Sequence, residues 1–429
     1  MSSDREHFGS RLAVILAMAG SAIGLGNIWR FPYMVGEYGG AVFILIYILC
    51  SFILALPIFL AESLIGRRSR RNAIAAMKTL APGSRWSLFG YLSVFTPVVI
   101  LSYYCIVGGW SLEYLLQSFS LGFSTFEPSG WTPLLFSTLF LAASCVVVAL
   151  GVKNGIERFS KVSIPVLFVL ILVIAVYAVR MPGAEKGVEY IVKPDFSRLS
   201  AATFAYALGQ SFYSISLGMG IVLTYSSYVK KDENLVVSGA GTALADLLFA
   251  LLAGMAIMPA VFASGLEPSS GPGLVFETLP QVFVGMGASV PWIGATVAVL
   301  FFLTLIVAAM TSSISLVEVP VAYLIENKGM KRGTACAVVF VLEWLLSLVS
   351  VFSIRAFGTV DAFSSNFLLT LGALLAILFV GWRMKKEDVR DEITNGGTTN
   401  RSLFPFLYFL IRWAAPVAVL AIFISNLVL

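Results

Sequence analysis

Charged residues are scarce in this chain of 429 residues: they make up 12% of it, against about 25% in soluble domains. Hydrophobic residues make up 59%. This balance excludes an ordinary soluble domain and predicts a protein that crosses the membrane many times. The net charge of +5 is modest and the basic residues gather in particular loops, a pattern that sets membrane orientation and argues against nucleic-acid binding.

Histidine and cysteine are equally scarce, which narrows the classes of function. The single histidine, His7, lies near the N-terminus and is more typical of an interfacial polar residue than of a catalyst, so we do not expect an enzyme. No G-x-x-x-x-G-K-[ST] motif occurs, which argues against an ATP-driven pump. The polar N-terminus lacks a small-residue cleavage site, so we expect no removable signal peptide. Neither a disulfide framework nor a metal cluster is expected from the four widely spaced cysteines, Cys50, Cys105, Cys145 and Cys336.

Eleven apolar segments are long enough to cross a bilayer. Lysine and arginine concentrate in alternate connections between them, so the positive-inside rule predicts a cytoplasmic N-terminus. Because eleven is odd, the C-terminus is then expected to be extracellular. We therefore predict a single transmembrane domain over residues 1–429, located in the cell membrane. The predicted spans are 11–36, 40–66, 88–118, 134–151, 155–180, 200–229, 235–263, 291–325, 334–352, 357–383 and 404–427.

The first span carries helix-breaking and polar residues where a lipid anchor would carry leucine. Residues 19–32 read A-G-S-A-I-G-L-G-N-I-W-R-F-P. Glycine costs about 1 kcal/mol in a helix interior, and an unpaired peptide group in hydrocarbon costs several times more. We therefore expect this helix to break at mid-membrane and to turn free carbonyls and amides toward a bound ion and a bound solute. The alternative is a continuous helix whose glycines let a neighbouring helix approach.

The sixth span is interrupted in a similar way. Residues 210–220 read Q-S-F-Y-S-I-S-L-G-M-G and combine hydroxyl groups with two glycines inside a membrane segment. Interrupted spans at corresponding positions of two halves are typical of transporters built from inverted repeats. Repeat one would cover about 11–180 and repeat two about 200–383, with an extra helix at about 404–427.

The chain resembles a bacterial member of the neurotransmitter:sodium symporters, similar to the leucine and multi-hydrophobic amino-acid transporters. The resemblance implies an all-α polytopic membrane protein of the LeuT-type fold, with a 5+5 inverted repeat and broken helices 1 and 6. Most of the family has twelve spans and this chain has eleven, which leaves open whether it forms a homodimer. Besides the 19–32 stretch, the matching motifs are R-E-H-F-G-S-R at 5–11, N-G-I-E-R-F-S-K at 154–161, S-L-G-M-G at 216–220, T-Y-S-S-Y-V-K-K-D at 224–232 and A-A-M-T-S-S-I-S at 308–315.

The resemblance implies two sodium ions, and sodium is a hard cation that prefers oxygen ligands. One ion would bind the carbonyl oxygens of Gly20, Ile23 and Ala308 and the hydroxyls of Thr311 and Ser312. Taken alone, these hydroxyls would be expected to bond to their own helix. Together with the broken first span, they favour an ion.

The other sodium ion would lie next to the substrate. Its ligands would be the Ala22 carbonyl, Asn27, Ser214 and Asp246, completed by a carboxylate oxygen of the substrate. Ion and solute would then strengthen each other's binding. Because an ionised aspartate inside the membrane is expensive without a partner, we infer that the sodium ion is that partner, with a structural ion pair as the alternative.

Asp246 also bears on chloride. Most relatives carry asparagine at this position, and those that need chloride place a hydroxyl one turn further along, where this chain has Ala250. We therefore expect Asp246 to supply the balancing negative charge and chloride not to be required.

Gly24 indicates the substrate class. Monoamine carriers of the family place an aspartate there, whereas glycine leaves room for a substrate carboxylate held by the amides of Gly26, the half-helix dipole and Tyr104. The substrate amine would meet the carbonyls of Ala22, Tyr213 and Ser216, near the Ser312 hydroxyl. An apolar pocket favours neutral hydrophobic L-amino acids, aliphatic and aromatic, and its side chains would be Ser21, Leu25, Ile100, Phe212, Tyr213, Met219, Ser315 and Leu316.

The resemblance also implies gates on both sides of the site. Arg30 and Asp361 would form the extracellular gate, with Tyr104 and Phe212 as a lid beneath. The cytoplasmic gate would consist of Arg5, Ser227, Tyr228 and Glu326.

Two further features belong to the moving parts of the protein. Gly155 and Pro165 both weaken the fifth span; they indicate either a simple kink or, by resemblance, a segment that unwinds to let water reach the first sodium ion. Glu62, deep in the second span, is expected to be protonated or hydrogen-bonded to the broken sixth span.

Three mechanisms remain open on this fold. The favoured one is a sodium-coupled symporter that works by alternating access. The alternatives are a proton-coupled carrier, in which Asp246 cycles protons, and an amino-acid sensor or uncoupled channel.

Overall fold

The computed structural model describes residues 7–265, 273–289 and 291–428. Within them the regular structure is helical and no β-strand occurs. The predicted all-α class is therefore confirmed. The helices, numbered in chain order, are α1 (Arg11–Ala22), α2 (Gly26–Glu37), α3 (Ala41–Ser69), α4 (Ala73–Leu80), α5 (Ser87–Ser118), α6 (Trp131–Ala149), α7 (Val152–Val179), α8 (Glu185–Val192), α9 (Ala201–Ser214), α10 (Ile221–Ser226), α11 (Leu235–Ala263), α12 (Leu274–Ala288), α13 (Trp292–Lys328), α14 (Arg332–Val351), α15 (Ile354–Arg383), α16 (Lys386–Thr394) and α17 (Phe404–Ile424).

Nine of the helices in the described part of the chain are long and apolar enough to cross a membrane, and α1 with α2 makes a tenth crossing if the bent pair is one span. The predicted sixth span consists of α9, with 14 residues, and α10, with 6 residues. Each is too short to span about 30 Å of hydrocarbon by itself. The count of eleven spans and the inverted repeat therefore stay predictions.

The first span breaks between α1 and α2. Regular helix ends at Ala22, and Ile23 takes an extended conformation with ψ of 96°. The chain resumes with a π-helical turn at Gly26, and the two helix axes differ by 55°. The side chain of Asn27 closes the gap by accepting a hydrogen bond of 3.3 Å from the Gly24 amide. The break leaves the peptide groups around residues 21–25 outside a regular helical ladder.

The break between α9 and α10 depends on a left-handed backbone. Ser216, Gly218 and Gly220 have φ angles of 56°, 77° and 70°, and only glycine adopts this region without a steric cost. Ser216 is held there because its hydroxyl donates to the Ser21 carbonyl at 2.9 Å. A Cβ atom on Gly218 would overlap with the Leu369 carbonyl of α15, so the S-L-G-M-G motif is also needed for close packing.

Long helices surround the two breaks. α1 packs against α7, α11 and α13, and α10 packs against α3 and α13. On the other side, α5 lies along α13 and α6. The buried core therefore encloses the interrupted segments, so their free peptide groups face protein and not lipid.

Glu343 on α14 leads to a stability prediction. Its side chain is fully buried, and neither carboxyl oxygen has a hydrogen-bond partner among the described residues. A buried polar group without a partner costs about 1–3 kcal/mol. We therefore expect Glu343→Leu to raise the free energy of unfolding by about that amount, measured as a higher melting temperature in detergent.

Glu62 provides the matched control for this substitution. It is another buried carboxyl group in a membrane helix, but its Oε1 accepts a hydrogen bond from the Gly218 amide at 2.7 Å. Glu62→Leu is therefore expected to lower the melting temperature, because it leaves that amide unpaired. A fall in melting temperature for Glu343→Leu of the same size would contradict the prediction.

Candidate functional site

A cavity lies between the two helix breaks. It is framed by the ends of α1 and α9 together with α5 and α13. All but two of the residues predicted for substrate binding line it. The lining residues are Ser21, Ala22, Gly24, Leu25, Gly26, Ile100, Tyr104, Tyr213, Ser214, Ser216, Met219, Ile221, Ser312 and Leu316.

Phe212 and Ser315 are the two predicted substrate residues that do not line this cavity. Phe212 is buried elsewhere in the core, and the next residue, Tyr213, faces the cavity instead. Ser315 lies one layer behind: its hydroxyl donates to the Ser312 carbonyl at 2.7 Å and lies 3.0 Å from the Ser21 hydroxyl. Ile221 lines the cavity and was missed, because an isoleucine in an apolar segment carries no signal that separates it from core residues.

Gly24 marks the most restricted part of the cavity wall. A Cβ atom at this position would overlap with the Ser312 hydroxyl and would lie 3.1 Å from the Tyr104 hydroxyl. The Leu25 amide donates to the Tyr104 hydroxyl at 3.4 Å. A backbone amide, a phenol and the positive end of the α2 dipole therefore converge here, an arrangement suited to a carboxylate.

Oxygen atoms of α1 and α13 meet beside the first break. The Thr311 hydroxyl lies 3.1 Å from the Ile23 carbonyl and 2.8 Å from the Ala308 carbonyl. A Cβ atom on Gly20 would lie 3.5 Å from the Thr311 Cβ. The structure thus brings together four of the five residues predicted for one sodium ion. The fifth, Ser312, directs its hydroxyl to the Ser21 carbonyl at 3.2 Å, on the side of the cavity.

Asp246 on α11 is the centre of a second polar group. Its carboxylate accepts a hydrogen bond from the Asn27 amide at 2.7 Å and from the Ser214 hydroxyl at 2.8 Å. Asp246, Asn27 and Ser214 are all almost completely buried. Ala22 and Ser214 also line the cavity, so this predicted sodium set lies next to the substrate space.

Tyr47 of α3 belongs to the same group and was missed at the sequence level. Its hydroxyl donates to Asp246 at 3.0 Å and lies 3.2 Å from the Ser214 hydroxyl. The only available signal was a single phenol within the apolar stretch I-L-I-Y-I-L-C. Three side chains therefore donate to one buried carboxylate, which is an environment built for negative charge.

A larger cavity lies on the other side of Tyr104 and Tyr213, which line both spaces. Arg30 and Asp361 both line this outer cavity. They form no ion pair in the described part of the chain: the Arg30 guanidinium stacks 4.7 Å above the Tyr213 ring, and Asp361 accepts from the Ser365 hydroxyl at 3.2 Å. Tyr104 and Tyr213, and not Phe212, therefore separate the two cavities.

The predicted cytoplasmic gate is only partly described, because Arg5 lies outside the described residues. Ser227 and Tyr228 are buried at the end of α10. Glu326 accepts hydrogen bonds from the backbone and side-chain amides of Asn72 at 2.9 and 2.8 Å. These residues lie at the same end of the bundle.

Glu318 is a further polar residue at this end that the sequence reasoning did not find. Its carboxylate accepts from the Tyr228 hydroxyl at 2.6 Å and pairs with Arg332 at 2.7 Å. The available signal was an acidic residue inside an apolar span, since such residues are rare and usually paired.

The start of α7 lies next to the first sodium set. Gly155 is in a π-helical turn, Val152–Glu157, and a Cβ atom on it would overlap with the Val147 carbonyl of α6. Pro165 directly follows Ile164, and the Ser160 hydroxyl and the Ile164 side chain lie 3.3 and 3.4 Å from a Cβ atom built on Gly20. The segment between Gly155 and Pro165 therefore packs directly against the residues predicted to bind the first sodium ion.

Two interrupted helices around a cavity with both polar and apolar walls, inside a bundle of membrane helices, define a secondary transporter with its site at the helix breaks. Comparison with known proteins agrees with this class. The model of the "Sodium:neurotransmitter symporter family" matches residues 5–131 and 124–429. The chain therefore belongs to the sodium:neurotransmitter symporter family, whose members are sodium-dependent transporters and not enzymes.

The relatives cover the chain over nearly its full length. It is 36% identical to the "Uncharacterized sodium-dependent transporter YhdH" of Bacillus subtilis (strain 168), over 97% of this chain and 96% of that protein. It is 34% identical to an "Uncharacterized sodium-dependent transporter" of Haemophilus influenzae, over 99% of both chains. Among solved structures, the "Crystal structure of MhsT in complex with L-phenylalanine" has a TM-score of 0.87 and 38% identity, and the match covers 98% of this chain and 100% of that one. The predicted LeuT-type fold is confirmed by this likeness.

Proposed function

We propose that the chain imports neutral hydrophobic L-amino acids, aliphatic and aromatic, together with sodium ions. The observation that carries the proposal is the cavity at the two helix breaks. At Gly24 it has no room for a side chain, and the amide and phenol beside that residue suit a carboxylate, while Ile100, Met219 and Leu316 give it apolar walls. The similar transporter MhsT was solved with L-phenylalanine, which supports an aromatic amino acid as one substrate.

Two clusters of carbonyl, hydroxyl and carboxylate oxygens beside the cavity would each bind one sodium ion. The first would use carbonyls of Gly20, Ile23 and Ala308 with the hydroxyls of Thr311 and Ser312. The second would use Ala22, Asn27, Ser214 and Asp246 with the substrate carboxylate. Because the substrate completes this second shell, neither ligand binds well without the other, which couples solute to ion.

Alternating access would open the cavity first to one side and then to the other. Tyr104 and Tyr213 would act as the outer lid, below Arg30 and Asp361. Ser227, Tyr228 and Glu326, with Arg5, would close the cytoplasmic side, and unwinding of α7 between Gly155 and Pro165 would let water reach the first ion.

The membrane arrangement follows the same proposal. Helices α9 and α10 would together complete an eleventh span, with spans 1–5 and 6–10 as inverted repeats. The N-terminus would be cytoplasmic and the C-terminus extracellular in the cell membrane. Formation of a homodimer stays a prediction.

Uptake into proteoliposomes tests the function. An inward sodium gradient is expected to drive accumulation of labelled phenylalanine, and unlabelled leucine, isoleucine, tyrosine and tryptophan are expected to compete, whereas aspartate and lysine are not. Replacing external sodium with choline at fixed pH should abolish accumulation. The Thr311→Ala variant should need a higher sodium concentration, since one ion loses a hydroxyl ligand.

The same assay separates the alternatives. Accumulation driven by a proton gradient in choline would favour the proton-coupled carrier, in which Asp246 binds the proton. Binding of phenylalanine without accumulation under any gradient would favour a sensor, and dissipation of the sodium gradient without solute accumulation would favour an uncoupled channel.

A further inference from the structure

A basic and aromatic cluster lies where α15 and α17 cross, and none of its members lines either cavity. It consists of Trp382 at the end of α15, Lys386 at the start of α16, and Tyr408, Arg412 and Trp413 of α17. We call these five residues the Arg412 cluster. Because no step of the proposed transport cycle uses them, their arrangement needs a separate explanation.

The two helices are shaped to expose this cluster. Each has a π-helical turn at the crossing, Phe379–Arg383 in α15 and Leu410–Ala414 in α17. A Cβ atom on Gly381 would lie 3.0 Å from the Arg412 Cα, so the backbones approach closely. The Arg412 side chain consequently lies among Trp382, Tyr408 and Trp413.

Arg412 is held by aromatic rings and not by an acid. Its Cζ atom lies 5.1 Å from the Trp382 ring centroid, 5.8 Å from that of Trp413 and 5.9 Å from that of Tyr408. Its Nη1 donates to the Tyr408 hydroxyl at 3.0 Å, whereas its buried Nε has no hydrogen-bond partner. In the described ranges of the chain, Arg412 forms no ion pair. A charged side chain in a membrane helix normally has a partner, so this one points to a ligand from outside the chain.

A second cation adds to this positive surface. The Lys386 Nζ atom lies 5.6 Å from the Tyr408 ring centroid, on the same tyrosine that binds Arg412. Three of the four acidic residues of α16, namely Asp388, Asp391 and Glu392, pair with Arg68 or Arg67 of α3 and not with the cluster. Trp382 and Trp413 leave 52% and 48% of their surface exposed.

We propose that the Arg412 cluster binds the head group of an anionic phospholipid. A phosphate oxygen would accept from the free side of the guanidinium, whose planar fork suits phosphate, and Lys386 would add a second charge. Exposed indoles are typical of the interface where head groups lie, and basic pockets between membrane helices bind anionic head groups.

Native mass spectrometry of the purified full chain tests this proposal. The protein is titrated with phosphatidylglycerol and, separately, with phosphatidylcholine. The wild type is expected to retain phosphatidylglycerol more tightly. The double variant Arg412→Gln/Lys386→Gln is expected to lose about 25-fold in affinity for it, at roughly fivefold for each charge near the membrane surface.

Arg85→Gln is the matched control, because Arg85 is an exposed basic residue on the same predicted face and lies outside the cluster. It should leave phosphatidylglycerol affinity unchanged. Arg412→Lys keeps the charge but loses the planar fork, so its affinity should lie between those of the wild type and the double variant; it also provides a folded comparison if the double variant unfolds.

Three outcomes would overturn the proposal. These are equal retention of the two lipids by the wild type, a loss in Arg85→Gln as large as that in the double variant, and an affinity of Arg412→Lys equal to that of the wild type. Displacement of phosphatidylglycerol by millimolar inorganic phosphate would assign the site to free anions and would likewise overturn the lipid proposal.

Discussion

Gly24→Ala is expected to lower sodium-dependent binding of phenylalanine by about a hundredfold. A Cβ atom at this position overlaps with the Ser312 hydroxyl and approaches the Tyr104 hydroxyl to 3.1 Å. Both groups lie on the cavity wall where the substrate carboxylate is proposed to bind, so the added methyl group displaces them or occupies its place. Overpacking of this kind costs about 3 kcal/mol, which corresponds to roughly a hundredfold in affinity. Equilibrium binding of labelled phenylalanine in the presence of sodium measures the effect.

Gly24→Asp extends the same argument to charge. Its carboxylate would occupy the position proposed for the substrate carboxylate, so amino-acid binding should be lost completely. The monoamine phenylethylamine, which has no carboxylate, is the informative probe: if it gains affinity relative to the wild type, the position recognises the carboxylate.

Gly209→Ala is the matched control for both variants. Gly209 also lies in an interrupted span, on α9, but a Cβ atom there meets nothing within 4 Å. This substitution should leave binding unchanged. Thermal unfolding curves should first show that both variants are folded. Equal binding of phenylalanine by Gly24→Ala and Gly209→Ala would then contradict the proposed position of the substrate.

The breaks in the first and sixth spans could be predicted because their cause is local. Glycine and asparagine within 19–32, and the two glycines of 210–220, are residues that leave the helical conformation at low cost, and this property can be recognised without knowledge of distant contacts. The structure places the breaks inside both stretches, at residues 23–25 and 215–220. The single histidine, the dispersed cysteines and the low charge likewise excluded whole classes of protein without any tertiary information.

The positions of individual side chains beside a break were harder to predict. Each residue of a helix turns by about 100° relative to the one before, so an error of one residue moves a side chain to another face. Phe212 and Tyr213 illustrate this, since only Tyr213 lines the cavity. The sequence offers two adjacent aromatic residues, and the choice between them depends on how α9 packs against α3.

Contacts between distant parts of the chain could not be predicted from composition or spacing. Tyr47 and Asp246 are separated by 199 residues and meet through one hydrogen bond. Glu318 and Arg332 are close in sequence, but they pair across the connection between two helices, and Tyr228 joins them from α10. In each case the residue types suggest a polar partner without specifying which one.

The surroundings of Asp246 lead to the second large effect, on the anion requirement of transport. Asn27, Tyr47 and Ser214 all direct a donor at this carboxylate, at 2.7, 3.0 and 2.8 Å. Such a set of donors is an anion site that the protein fills with its own side chain. The wild type is therefore expected to transport equally well in chloride and in gluconate.

Asp246→Ser should remove the charge while keeping the donors and opening space beside Ala250. Leaving buried donors and a nearby sodium ion without a negative partner costs about 3 kcal/mol or more, so uptake in gluconate should fall roughly a hundredfold. Chloride can accept from the same three donors, and it is expected to restore part of the uptake in a saturable manner. Initial rates of sodium-driven phenylalanine uptake, measured over a series of chloride concentrations, test this expectation.

Glu343→Gln is the control that separates this effect from general loss of a buried acid. Glu343 is as deeply buried as Asp246, but no donor is directed at it among the described residues, so its variant should show no chloride dependence. If folded Asp246→Ser stays inactive at every chloride concentration, the carboxylate acts by direct ligation of sodium, which chloride cannot replace. If chloride restores uptake by Asp246→Ser, the requirement at this position is for a negative charge between three donors and a cation. Chloride-dependent and chloride-independent members of the family would then differ in whether a bound chloride ion or a side-chain carboxylate supplies that charge.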